Sequence, residues 1–309
     1  VIALVISAVI AAVALWPRAH SPFAGRHLYL DPTTQVVVAA QRDHGPELAY
    51  LASQPQAVWF GDWDAIDEVG VRLGRLVADA AHRHRMPLLV MYAIPKRDCG
   101  GVSSGGERDD GAYRAWVSAF SAALGNSTAA VIVEPDALAS LTCLSTSDRA
   151  NRLADLRFAV AQLHRDRHVV SYLDAGNSDW QSPADMAALL SSADVRETRG
   201  FALNVANFLP TSTEIAYGRQ IAGLLHGSHF VVDTSRNGNG TPGSGRAWCN
   251  PSGRAIGATP LTAPHDSAVD ALLWIKPPGE SDGSCAPGDP SAGTFWNEYA
   301  IALVDAARH

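Results

Sequence analysis

Short runs of β-branched and aromatic residues alternate along the chain with longer stretches whose apolar positions recur every three or four residues. Residues 27–30, 57–60, 88–92, 129–133, 168–173, 201–205, 229–232 and 272–275 read as strands. Between them the spacing predicts amphipathic helices. In 113–124, Tyr113, Trp116, Val117, Phe120 and Leu124 fall on one face, and 150–163 and 214–225 repeat the habit. Strand–helix alternation at this frequency predicts an α/β fold with a mostly parallel sheet under covering helices. Seven or eight such units point to a closed or nearly closed (β/α) barrel more than to an open sheet.

In a barrel the chemistry belongs where strands end and loops begin. There the sequence sets Arg97-Asp98-Cys99, Glu134-Pro135-Asp136, Asp174-Ala175-Gly176, Asn204 with Asn207, Asp233 to Asn237, and Lys276 with Glu280 and Asp282. Any one of these suits a helix cap or a turn. Acidic and amide groups at six strand ends exceed what caps require. Asp98, Asp136, Asp174 and Asp282 come from different strands and can converge on one pocket, where mutual repulsion keeps one carboxyl protonated. Glycoside hydrolysis uses such a pair, one carboxyl as acid and one to activate water. A divalent metal could use the same cluster. Aromatic residues favour the sugar: Trp59, Tyr92, Trp180 and Trp248 stand at strand ends or in adjacent loops, and indoles stack on the apolar faces of sugar rings. Trp274, among Leu272, Leu273 and Ile275, reads as core.

Composition narrows the picture further. The 309 residues are 47% hydrophobic, enough for one large domain, which we place at 21–309. The net charge of -7 gives no electrostatic reason to expect nucleic acid as a partner. The first sixteen residues hold one polar group, Ser7, so 1–20 reads as a signal peptide or membrane anchor and as the sole expected membrane contact. The protein is accordingly expected to be secreted or anchored at the cell envelope, and to be a monomer. Four cysteines (Cys99, Cys143, Cys249 and Cys285) suggest two disulfides in an exported chain, with three pairings open. Their spacing matches no zinc motif, and neither metal nor cofactor is expected.

Seven ordered segments carry a resemblance: YAIPKRDCGGVSSGG from Tyr92, VIVEPDAL from Val131, SYLDAGNSDW from Ser171, NVANF from Asn204, DTSRNGNG from Asp233, WCN from Trp248 and WIKPPGESDG from Trp274. The chain resembles family 6 glycoside hydrolases, the inverting endoglucanases and cellobiohydrolases. The resemblance implies a distorted, incomplete (β/α) barrel of seven to eight strands and endo-acting hydrolysis of β-1,4-glucan with inversion, cellobiohydrolase action being the alternative. It implies Asp136 as general acid and Asp98 as the aspartate that raises its pKa and organises water. Asp282 falls at a position discussed as the base, Tyr92 beneath the sugar that distorts, and Ser104 in a loop that positions water. Lys276 and Glu280 match sugar-binding groups, with Trp59, Trp180 and Trp248 near stacking positions. Asp174, Asn177, Asn204 and Asn207 complete the expected substrate contacts, and the implied disulfides are Cys99–Cys143 and Cys249–Cys285. Two positions depart from the family habit: Ala93 stands where asparagine is common and Asn177 where histidine is. A glycan-binding protein without turnover is the rival on the same barrel. Paired carboxylates argue against it, since binding a neutral sugar does not require them.

Overall fold

The computed structural model describes residues 21–241 and 248–308. Seven parallel strands form one sheet in chain order: β1 (Val58–Gly61), β2 (Leu88–Tyr92), β3 (Ala129–Val133), β4 (Val169–Asp174), β5 (Gly200–Leu203), β6 (His229–Asp233) and β7 (Val269–Leu273). Register is set by burial on both faces. Phe60, Met91, Val133, Leu173, Phe201, Phe230 and Val269 pair strand to strand in one row, and all seven pack outward into the helix-facing core. The opposite parity, including Leu88, Val90, Ile132, Tyr172, Val231 and Leu273, fills the interior, where Phe23 stacks on Tyr172. A one-residue slip would exchange these two sets, so the pattern fixes the pairing.

The sheet curls without closing. Across the gap between β7 and β1 the backbone makes one bond, Ala57 N donating to Trp274 O at 3.0 Å. The Trp59 indole adds a second, donating to Ile275 O at 2.8 Å. Helices α1 (Gln35–Arg42) and α2 (Pro46–Ala52) precede the sheet. α3 (Ile66–His82), α4 (Asp110–Leu124), α5 (Thr146–His164), α6 (Pro183–Ser192) and α7 (Thr211–Leu224) cross between successive strands, and α8 (Asn297–Ala306) ends the chain. A third apolar cluster joins α1, α2 and α8 over Trp274, which is fully buried.

The architecture is the incomplete barrel expected, with seven strands. Residues 27–30 do not form a strand: only Leu28 bridges, to Met86. The reason is competition, since β1 occupies that edge of β2 from Leu89 onward. The last strand begins at Val269, three residues before the expected 272. Residues 1–20 lie outside the described residues, so the expected leader does too. Among the described residues no helix is long and apolar enough to cross a membrane.

Candidate active site

The loops at the carboxyl ends of the strands enclose a cavity of about 1060 Å³. β3 delivers Glu134-Pro135-Asp136 through two residues in the left-handed region, Glu134 at φ 52° and Asp136 at φ 70°. Such conformations cost roughly 1–3 kcal/mol each for side-chain-bearing residues and persist only where neighbours hold them. Buried Glu134 accepts bonds from Ala93 N and Ile94 N, both at 3.1 Å, tying this loop to the end of β2. Asp136 N donates to Asp174 Oδ2 at 2.9 Å, tying it to β4.

Asp136 projects into the cavity. Enclosure by protein, then the charges of Asp98 and Asp282, push its carboxyl up to about 7, against the opposing pull of Arg97 and Lys276. Asp98 lies in a tight turn whose carboxylate accepts from Ser103 N at 2.9 Å and Ser103 Oγ at 3.0 Å. Gly101 is required beneath it, because a Cβ there would meet Asp98 Oδ2 at 2.3 Å. Ser103 Oγ also reaches the Tyr92 hydroxyl at 3.2 Å, and burial drives that phenol far above its ordinary range. Arg97 braces the same loop. Its guanidinium lies 4.2 Å over the Tyr92 ring and donates to Asp62 Oδ1 and Tyr92 O, each at 2.6 Å.

On the far wall Asp282 is almost fully buried. Its Oδ2 accepts from Arg236 Nη1 at 2.8 Å and from Asn250 N at 3.1 Å, while Oδ1 faces Lys276 Nζ at 3.9 Å. Burial alone would lower the Arg236 pKa. Ion pairing with Asp282 reverses that and raises it, so the guanidinium stays charged with no exposed surface.

The cavity gathers most of the residues singled out in the sequence. Asp98, Asp136, Asp282, Tyr92 and Ser104 line it together, and Trp59, Asn177, Trp180, Asn207, Trp248, Lys276 and Glu280 complete its walls. Trp180 and Trp248 are each more than 40% exposed. Asp174 and Asn204 lie instead beneath the floor. Asp174 supports Asp136 N and Gly176 N and, through burial and then the Asp136 charge, holds its proton far above the usual range. Asn204 is fully buried and spends its amide on Leu209 and Asp233 backbone groups. Both disulfides are formed, Cys99–Cys143 beside Asp98 and Cys249–Cys285 beside Asp282. Among the described residues no three His, Cys, Asp or Glu side chains are grouped as metal ligands.

Four contributors went unassigned in the sequence. Ser103 rather than Ser104 grips Asp98; Arg236 and Asn250 hold Asp282; and Trp63, 53% exposed, adds another indole beside Arg97. Arg236 and Asn250 sit in the DTSRNGNG and WCN segments, so the motifs contained them without revealing their partner.

A carboxyl whose proton affinity is raised by burial, among carboxylates and exposed indoles, is the arrangement that acid-assisted hydrolysis of carbohydrate uses. Residues 23–307 match Glycosyl hydrolases family 6, and the chain belongs to that family. It is 41% identical over 284 residues to Endoglucanase A of Cellulomonas fimi, covering 91% of this chain and 61% of that protein's length. It is 40% identical over 264 residues to Endoglucanase 1 of Streptomyces halstedii, covering 83% of this chain and 80% of that one. Among solved structures, the endoglucanase Cel6 from Mycobacterium tuberculosis, in complex with methyl-cellobiosyl-4-deoxy-4-thio-β-D-cellobioside, superimposes with a TM-score of 0.92 at 46% identity, covering 94% of this chain and all of that one.

Proposed function

We propose that this protein hydrolyses β-1,4-glucosidic bonds of cellulose or related β-glucan, cutting within the chain and inverting the anomeric centre. The observation that carries the reading is Asp136: a carboxyl in the cavity that remains an acid up to about pH 7. Asp136 gives its proton to the departing oxygen. Water attacks from the opposite face, which requires two carboxyl groups roughly 6.5–9.5 Å apart. For that water Asp98 is the better acceptor. Both Asp282 oxygens are engaged by Arg236, Asn250 and Lys276, whereas Asp98 spends one oxygen on Ser103. Asp282 then acts by charge, supporting the proton on Asp136. Trp59, Trp180 and Trp248 carry sugar rings along the groove.

Internal cutting is supported by the loop after β7. Its 281–294 segment is tied to its own stem by Ser281 N donating to Thr294 O and Gly293 N to Ser281 O, both at 2.9 Å. Residues 291–294 of it line the cavity. Two disulfides support an exported protein, which meets its polymer outside the cytosol. The test is anomer-resolved NMR on cello-oligosaccharides in the first minutes, beside viscometry on carboxymethyl cellulose. The α-anomer should form first, and viscosity should fall quickly relative to reducing ends. A first-formed β-anomer would reject inversion, and steady cellobiose release at constant viscosity would reject internal cutting.

A further inference from the structure

Arg152 lies on the second turn of α5, is 3% exposed, and reaches no described carboxylate within ion-pair distance. Its guanidinium is spent on main-chain carbonyls. Nη2 donates to Pro95 O at 2.7 Å and to Lys96 O at 2.8 Å, and Nη1 leans on Ala137 O at 3.4 Å. Pro95 and Lys96 lead directly into Asp98; Ala137 follows Asp136. One side chain therefore holds both loops that carry the reacting carboxyls. Each loop runs through left-handed residues, Lys96, Asp98 and Cys99 in one and Glu134 and Asp136 in the other, which collapse unless braced. A buried cation bound only to carbonyls is a costly brace, and apolar packing would serve stability better.

We propose that Arg152 is a positioning residue for the reaction, bolting the Asp98 loop to the Asp136 loop. The inference rests on the roles given above to Asp98 and Asp136. The disulfide Cys99–Cys143 ties the same two loops from the solvent side, so Arg152 is the inner of two fasteners. The charged and titratable groups around Arg152 are Glu134, Tyr113, Asp148 and Asp155; those around Asp136 are Asp98, Asp282, Asp174, Tyr92, Arg97 and Lys276.

Two variants separate positioning from charge. Arg152→Met removes the cation and the clamp, while Arg152→Lys keeps the cation but cannot span three carbonyls. The Asp136 carboxyl is titrated by carbon-13 NMR in the oxidised, unliganded protein, so the readout does not depend on any substrate. Loss of a cation alone would raise the Asp136 midpoint in Arg152→Met and leave it unchanged in Arg152→Lys. Loosened loops move Asp136 from Asp98 and toward water, so positioning lowers the midpoint in both, by about half a unit or more. On carboxymethyl cellulose both variants should lose about 10-fold or more in kcat with KM within about 2-fold, the pattern of misplaced catalytic groups. An Asp136 midpoint that fails to fall in either folded variant overturns the assignment. So does failure of both to fold, which would make Arg152 a folding residue. A wild-type protein inactive on every β-glucan would instead refute the proposed function, with the NMR titration still deciding the clamp.

Discussion

Asp136 owes its proton affinity to its surroundings, so changing either the group or the surroundings has a defined sign. Asp136→Asn removes the proton donor while keeping shape and hydrogen bonding. Turnover of carboxymethyl cellulose should fall at least ~100-fold, with cellotetraose affinity by calorimetry nearly intact. In the unaltered protein the rate should decline as pH rises through about 7, where Asp136 loses its proton. Glu214, fully buried on α7, shows the same physics away from the chemistry. Its Oε1 accepts from Ser178 N at 3.1 Å, bracing the loop of Asn177 and Trp180, and burial raises its pKa from 4.5 to about 7. The folded state thus binds this proton more tightly than the unfolded chain does. The resulting stability is complete below about pH 4.5 and is lost as pH climbs through about 7. Glu214→Gln keeps the acceptor without the charge. Scanning fluorimetry should therefore show a smaller fall in Tm between pH 5 and pH 8 than in the parent, a difference of up to about 3 kcal/mol in stability.

Elements bring these groups together, and the loops depend on cross-links as much as on strands. Thiol titration of native protein should find no free thiol, and reduction should release four. Replacing Cys99 and Cys143 by serine should cost about 2–4 kcal/mol in urea unfolding and should lower kcat, because Cys99 follows Asp98 directly. Strand legibility followed burial. β2 and β3 stand at the expected boundaries because every residue in them is buried, which gives uninterrupted apolar runs. β7 was displaced because its second residue is Asp270, an acid hidden by Arg199 and Tyr172, and such a residue reads as a loop. Within the site, acids at strand ends were legible as a set. Sequence could not separate those facing the cavity, such as Asp136, from those holding backbone below it, such as Asp174. Arg236 escaped notice because a charged residue in a polar run looks solvated. Its partner Asp282 lies 46 residues away.

As a whole molecule the protein is organised around the gap between β7 and β1. The cavity lies over it: Gln56, Ala57, Val58 and Trp59 line one side, with Lys276 and Pro277 on the other. A ring of strands would share its hydrogen bonds all round, but this sheet is a strip with two ends, joined by one backbone bond and one indole. Strips fray from their ends, so amide exchange should be fastest at the outer edges of β1 and β7 and slowest in β3 and β4. If the proposed function holds, a glucan seated in the groove would touch both ends at once and work as a clasp. Cellotetraose added to the Asp136→Asn protein should therefore slow exchange at β1 and β7 more than at β3 and β4. The polymer would then be fastening the catalyst's scaffold during the interval in which its own bond is broken.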